Sequence, residues 1–310
     1  MGDRVTAFPV PTMQPPPVSV VGLGQLGGSL AAALLAAGRE VCGWDVDPVA
    51  RQAAQARGVR ITQELAGVVV LAVPLPAMTD ALTGLTVDPD VTVTDLGSVK
   101  VPVVTELGAR FGDRYVGGHR MCGTERSGPD AADPALFRGA RWALCLEPGT
   151  DLARWLRVAE VALEVGAEVV PTSAAEHDDA VAAVSHVPHL LAAALAAAAG
   201  EAGALALSLA SGSFRDGTRV IGSDPLFVTA MVTGNEGPTS VALDRVRRQL
   251  DRPWPDLVAA GHAVRTFAPG RRTVRVPLDR SALLALGRAG GAVNRRLAAF
   301  VEGWVPDVGG

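Results

Sequence analysis

Three short groups of residues in this 310-residue chain have the types and spacing to do chemistry together. Gly22-Leu23-Gly24-Gln25-Leu26-Gly27 has the glycine spacing that lets backbone amides close on a pyrophosphate. Gly117-Gly118-His119 sets an imidazole after two glycines. With an ordinary pKa near ~6.5, that imidazole can take an alcohol proton while hydride leaves the same carbon. Phe214-Arg215-Asp216-Gly217-Thr218-Arg219 ends on a guanidinium, whose fork pairs with a carboxylate. A hydride carrier, a base and an anion clamp are what the oxidation of a small carboxylated alcohol requires.

The elements that must position these groups can be read from the pattern around them. Val18-Ser19-Val20-Val21 is a short apolar strand running into Gly22, residues 29–37 form a helix ending at Gly38, and residues 40–44 form the next strand, ending at Asp45. Residues 67–73, closed by Pro74, and residues 91–94, closed by Asp95, are further buried strands, followed by residues 142–146 and 168–170 with a helix over 152–166 between them. Strands alternating with helices predict a parallel sheet covered on both faces. After Pro171 the composition turns to Ala and Leu, and helices are predicted over 224–233, 239–250, 254–267 and 281–304, with an exposed break at Pro269-Gly270-Arg271-Arg272. The fold expected is therefore α/β, a doubly wound parallel sheet followed by an all-helical domain. Residues 1–17 form a Pro-rich arm, 18–171 a dinucleotide-binding domain and 172–310 a helical substrate domain. Helices so apolar complete their core with a second copy, which predicts a homodimer.

In the glycine loop, Gly22 makes the turn out of the strand, Gly24 lets the backbone approach the phosphates and Gly27 packs the helix on the strand. Gln25 and Leu26 open that helix, whose free amides and dipole face the pyrophosphate. Val73 and Pro74, at the end of another strand, border the same edge. Asp45 lies 23 positions after Gly22, where a carboxylate accepts bonds from ribose hydroxyls and repels a 2′-phosphate. NAD is therefore expected over NADP, with Arg51 nearby as the residue that keeps NADP possible. A helix cap is the plain alternative for Asp45.

Around His119, Ser98 in Asp95-Leu96-Gly97-Ser98-Val99-Lys100 is placed to bond the imidazole or the substrate hydroxyl, or to cap the following helix. Lys100 reads as a surface or phosphate-side cation. His186 and His189 are three apart on one helix face, with Pro188 suited to a first turn, so both are expected near a helix start that favours an anionic ligand. Buried, hydrogen-bonded histidines are the alternative. No third ligand suits the pair, so no metal is expected. Arg215 and Asp216 are close enough in sequence to Arg219 to orient it, and a surface ion pair is the alternative there.

Composition narrows the function. Lys100 is the only lysine and no basic stripe exists, which argues against nucleic acid. Cys42, Cys122 and Cys145 are widely spaced and odd in number, as expected of reduced thiols in a cytoplasmic protein. The start lacks a signal-peptide core, and the longest apolar run, residues 190–199, falls short of the ~20 residues that span a bilayer.

Taken in order, the glycine loop, Asp95-Leu96-Gly97-Ser98-Val99-Lys100, Gly117-Gly118-His119 running on to Gly123-Thr124-Glu125, His177-Asp178, Ser185-His186-Val187-Pro188-His189 and the Phe214 to Arg219 segment resemble the prephenate/arogenate dehydrogenase family of tyrosine biosynthesis. The resemblance implies a Rossmann-type domain, a helical dimerisation domain and an NAD-dependent oxidative decarboxylation. It implies that His119 takes the proton of the substrate's ring hydroxyl with support from Ser98, and that Arg219 binds a substrate carboxylate. His189, His186, Thr124 and Glu125 would then line or gate the pocket. Where the family usually has proline and alanine around the methionine after the histidine, this chain has Arg120 and Cys122, and Phe227 replaces a usual tryptophan. Arg120 is expected to add charge beside the site. No ACT-like pattern is seen after Asn235. The residues leave prephenate against arogenate open. A β-hydroxyacid dehydrogenase or imine reductase would use a lysine or aspartate in place of the histidine, and a nucleotide-sensing protein would bind without turnover.

Overall fold

The computed structural model describes residues 15–121 and 128–307. The first half alternates as expected: β1 (Val18–Val21), α1 (Gln25–Ala36), β2 (Val41–Trp44), α2 (Pro48–Ala56), β3 (Arg60–Ile61), β4 (Glu64–Leu65), β5 (Val68–Leu71), β6 (Thr86–Val87), β7 (Thr92–Asp95), α3 (Val101–Phe111) and β8 (Tyr115–Val116). The strands of the parallel sheet run β3-β2-β1-β5-β7-β8, and β4 and β6 form a separate small ladder. Val18, Val20, Val68, Val70 and Leu71 are almost wholly buried, which is why these strands read as continuous apolar runs.

The chain then enters a second sheet through β9 (Gly118–Met121), followed by β10 (Arg141–Cys145), α4 (Leu152–Glu164) and β11 (Glu168–Thr172). β10 pairs antiparallel with β9 and parallel with β11, so this half is mixed, not parallel. The helical part follows: α5 (Ala174–Val181), a π turn (Ala182–His186), α6 (Val187–Glu201), α7 (Ala204–Ser208), α8 (Gly212–Thr218), α9 (Pro225–Gly234), α10 (Glu236–Leu250) and α11 (Trp254–Thr266). Ser173 and Glu176 form a capping box that starts α5 at a defined residue. By length and composition alone, the unbroken helix Ala174–Glu201 could cross a membrane. Its first half instead holds His177, Asp178 and His186 in buried contacts.

The helix expected over 281–304 is overturned. The chain forms β12 (Gly270–Pro277), α12 (Arg280–Arg288), β13 (Ala292–Arg296) and β14 (Phe300–Asp307), and the expected break at Gly270 is the start of β12. This unit extends the second sheet in the order β12-β14-β13-β11-β10-β9. The alternation Val301, Gly303 inward against Phe300, Glu302 outward has period two, which the apolar count around it obscured. Leu283, Leu286, Val293 and Val301 join the same core as α1, β1 and α4. Trp304 lies under the guanidiniums of Arg141 and Arg271, at 4.3 and 4.2 Å, and both arginines pair with Glu168. The run of helices therefore ends at Thr266, and residues 270–307, with the single helix α12, return to the nucleotide-binding half.

Candidate active site

The glycine loop has the shape a dinucleotide needs. Gly22 adopts φ +90°, a left-handed conformation that favours glycine, and its N–H donates to Trp44 O at 2.9 Å. A Cβ on Gly22 would meet Ala72 O at 2.5 Å and Val73 Cγ1 at 2.9 Å, and one on Gly27 would overlap Gly22 O. Gly24 is different: no atom lies within 4 Å of its would-be Cβ. It also stands at the N-cap of α1, with no side-chain cap hydrogen bond among the described residues. Two glycines thus hold the loop tight and the third faces open space at a helix N-terminus, which fits a pyrophosphate. Gln25 begins α1 and Leu26 packs into the core behind it. Val73 borders Gly22, and Pro74 starts a short turn beside it.

Asp45 closes the site from β2. Its carboxylate accepts from Leu23 N at 2.5 Å and Asp47 N at 2.8 Å, so it braces the glycine loop from the end of β2. The cap of α2 is Asp47, not Asp45. Arg51 lies 4.6 Å over the Trp44 ring and donates to the Asp45 and Val46 carbonyls, at 2.7 and 3.1 Å.

His119 lies inside β9, next to the end of the first sheet. Gly118 is needed because a Cβ there would meet Asp95 O at 2.5 Å. Both backbone groups of Gly118 are clamped: its N–H donates to Asp95 Oδ1 at 2.9 Å and its carbonyl accepts from Lys100 Nζ at 2.7 Å. Lys100 is therefore not a surface cation. It is wholly buried, ion-paired with Asp95, and Asp95 is further held by Tyr115 OH at 2.7 Å and Gly97 N at 2.9 Å. Burial and the Asp95 charge push the Tyr115 hydroxyl well above its usual range.

The imidazole of His119 is bonded to His177, with Nδ1 to Nε2 at 2.7 Å and the rings edge-on, 5.0 Å between centroids. His177 Nδ1 in turn lies 2.8 Å from Asp178 Oδ1. The Asp178 carboxylate also accepts from Lys100 N at 2.8 Å and Val101 N at 2.7 Å, and so caps α3 from the helical half. Ser98 is thus neither the cap of α3 nor the partner of His119. It lies part-buried between Gly97 and Lys100 and makes no hydrogen bond among the described residues. Burial, then the neighbouring His177, Lys100, His186 and Arg120, hold the His119 pKa well below the usual imidazole value, so the ring is neutral at pH 7. Burial also lowers His177, against the pull of Asp178.

The expected helix start at His186 and His189 is not a free N-terminus. Pro188 has no N–H to give the preceding turn, and the helix passes through the π turn into α6 without a break. His186 is wholly buried and faces inward, with Nδ1 near Asn235 Nδ2 at 3.1 Å and Thr239 Oγ1 at 3.3 Å. Burial pushes its pKa down to about 4. It therefore does not line an open cleft as expected. His189 is part-exposed and its Nδ1 is 2.8 Å from Ser185 O.

Arg219 begins a 3-10 turn, Arg219–Gly222, packed on α6. Arg215 and Asp216 are exposed on α8 and form no ion pair among the described residues. Thr124 and Glu125 lie outside the described residues. Arg120 points to the opposite face of β9 from His119. Its guanidinium lies 4.6 Å over Phe137 and donates to Leu136 O, so it is anchored away from the imidazole. No cluster of metal-ligating side chains occurs among the described residues. His177, Asp178, Asp95 and Asn235 carry contacts that residue types alone did not assign. The adjacent His-Asp pair one turn after a capping box was the available signal.

Comparison with known proteins agrees with this geometry. Residues 30–171 match the family model described as prephenate dehydrogenase, nucleotide-binding domain, and residues 173–255 match prephenate dehydrogenase, dimerization domain. The chain is 31% identical over 253 residues to a prephenate dehydrogenase of Lactococcus lactis, covering 76% of this chain and 69% of that protein. Among solved structures, prephenate dehydrogenase from A. aeolicus in complex with hydroxyphenyl propionate and NAD+ superposes with TM-score 0.72 at 29% identity, over 81% of this chain and 93% of that one. Synechocystis arogenate dehydrogenase superposes with TM-score 0.67 at 29% identity, over 80% and 97%.

Proposed function

Because the chain belongs to the prephenate dehydrogenase family, we propose that it converts prephenate to 4-hydroxyphenylpyruvate by oxidative decarboxylation with NAD. The observation that carries this reading is the His119 imidazole, one ring nitrogen held by His177 and the other with no hydrogen-bond partner among the described residues, on the strand that leaves the nucleotide-binding sheet. The residues of the glycine loop and Asp45 fit the dinucleotide, which accepts hydride from the substrate when bound. His119 takes the proton of the ring hydroxyl as hydride leaves that carbon. The carboxylate on the opposite ring carbon departs as CO2, its bonding pair aromatises the ring, and His119 returns the proton to the phenolate oxygen. No net proton is consumed. The protein mainly orients the substrate and holds one proton.

Arg219 is the clamp for a substrate carboxylate, with His189 lining the pocket and Ser98 beside the hydroxyl. The helical part forms a homodimer, supported by the family's description of this region and by exposed apolar side chains at Leu195, Leu205, Leu209, Leu226, Phe227 and Trp254. The enzyme works in the cytoplasm, where buried Cys42 and Cys145 stay reduced. Arogenate, with an amine in place of the side-chain ketone, is the second reading, favoured by the Synechocystis superposition. Initial rates with both substrates and with NAD and NADP test the proposal. Reduction of NAD by prephenate is expected, and failure of both substrates with both cofactors overturns the activity.

A further inference from the structure

We propose that the His177–Asp178 pair sets the proton position on His119, making Nε2 the nitrogen that acts as base, and that His177, not Ser98, is the positioning residue for the catalytic imidazole. The inference rests on the reading of His119 as the base, and it follows from donors and acceptors taken in order. Asp178 offers only accepting oxygens, and these receive the backbone N–H groups of Lys100 and Val101. The His177 nitrogen 2.8 Å away must therefore be an N–H that donates to Asp178 Oδ1. A neutral His177 then has a bare Nε2, which can only accept. The His119 nitrogen 2.7 Å from it must carry hydrogen. A neutral His119 with its proton on Nδ1 presents a lone pair on Nε2, the one nitrogen free to meet a substrate hydroxyl.

The same chain steadies the ring once it is charged. When Nε2 takes the proton, the Nδ1–H bond to His177 becomes charge-assisted and shortens the reach to the Asp178 charge. No proton needs to move onto Asp178, which keeps capping α3. Lys100, His186 and His177, and Arg120 from the other face of β9, all oppose its protonation. Asp178, relayed through His177, is the compensating anion. The edge-on ring geometry, 72° between planes, suits an in-plane N–H pointing at a lone pair and not a stacked pair. The device also crosses the fold. His177 and Asp178 are on α5 of the helical half, while His119 and the α3 amides belong to the nucleotide-binding half.

The direct test is the proton position itself, read by nitrogen-15 NMR of the histidine-labelled, NAD-bound full chain at neutral pH, with His119→Asn used to assign the signals. His119 and His177 are expected with hydrogen on Nδ1 and a bare Nε2. Hydrogen on Nε2 of His119 overturns the proposal. A second arm uses kinetics. His177→Ala is expected to lower kcat by about 10²-fold with KM changed less than about threefold, because the base loses its orientation but not its pocket. His177→Gln, whose amide oxygen still accepts from Nδ1–H, is expected to recover most of that loss and the wild-type proton position. A His177→Ala enzyme within twofold of wild-type kcat overturns the positioning role. If His177→Ala does not fold, the wild-type spectrum still decides. If wild type turns over neither substrate, the activity reading fails while the proton position is still read.

Discussion

Lys100→Met is the perturbation that the structure makes most quantitative. The lysine side chain is wholly buried and its ammonium has two partners, the Asp95 carboxylate and Gly118 O. Methionine keeps the volume and removes the charge, leaving Asp95 buried without its cation. Breaking a buried ion pair from one side costs about 3–5 kcal/mol. Asp95 would still accept from Tyr115 OH, Gly118 N and Gly97 N. Three surviving donors place the loss at the lower end, about 3 kcal/mol. For a chain of this length, with an unfolding entropy of about 2.1 cal/mol/K per residue, that lowers Tm by roughly 5 °C. Asp95→Asn should cost more, because Lys100 would keep only a carbonyl. Urea unfolding at constant m-value measures both. A Lys100→Met protein within 1 kcal/mol of wild type, on the order of experimental scatter, or one less stable than Asp95→Asn, would refute the reasoning.

Two further outcomes follow from the loop and the histidines. Gly24→Ala should keep the wild-type melting temperature and lose NAD affinity, since its Cβ has room only while no phosphate is there, whereas Gly27→Ala should lose stability as well because its Cβ overlaps Gly22 O; thermal melts with and without NAD separate the two. His119, His177 and His186 are all held below the ordinary imidazole value, so the unfolded chain binds their protons first as pH falls. Their stabilising effect is complete above about 6.5 and is lost on acidification. For His186, faced by Asp178, His177 and His189, the window runs from 6.5 down to about 4. That single residue is then worth on the order of 3 kcal/mol, and urea midpoints that stay flat from pH 7 to pH 4 would contradict it.

What could be read from the residues, and what could not, divides along physical lines. The glycine loop, Asp45 and the strands around them were legible because a tight turn, a helix start and a buried parallel strand each constrain residue type locally. The placement of His119 at the end of the first sheet was legible for the same reason. Lys100 was misjudged because residue type alone does not reveal that the ammonium at the start of α3 folds back, buried, onto Asp95 at the end of β7. Ser98 was given the supporting role because it follows a strand that ends at the same sheet edge and because the resemblance implied it, while the residue bonded to the imidazole, His177, is 58 positions away. Residues 281–304 read as one helix because Ala and Leu over 282–289 are helix formers, and β13 after Gly290-Gly291 is short and ends in two arginines. Long-range pairing to β11, not local propensity, makes them a sheet.

The central claim is that His119 is the base of a hydride-transfer reaction beside a bound dinucleotide. His119→Asn tests it most directly, with NAD affinity by titration and kcat for prephenate measured on the same preparation. The account predicts NAD affinity within about twofold of wild type and a kcat lower by about 10²–10⁴. Turnover near the wild-type rate, or loss of NAD binding along with activity, would contradict it.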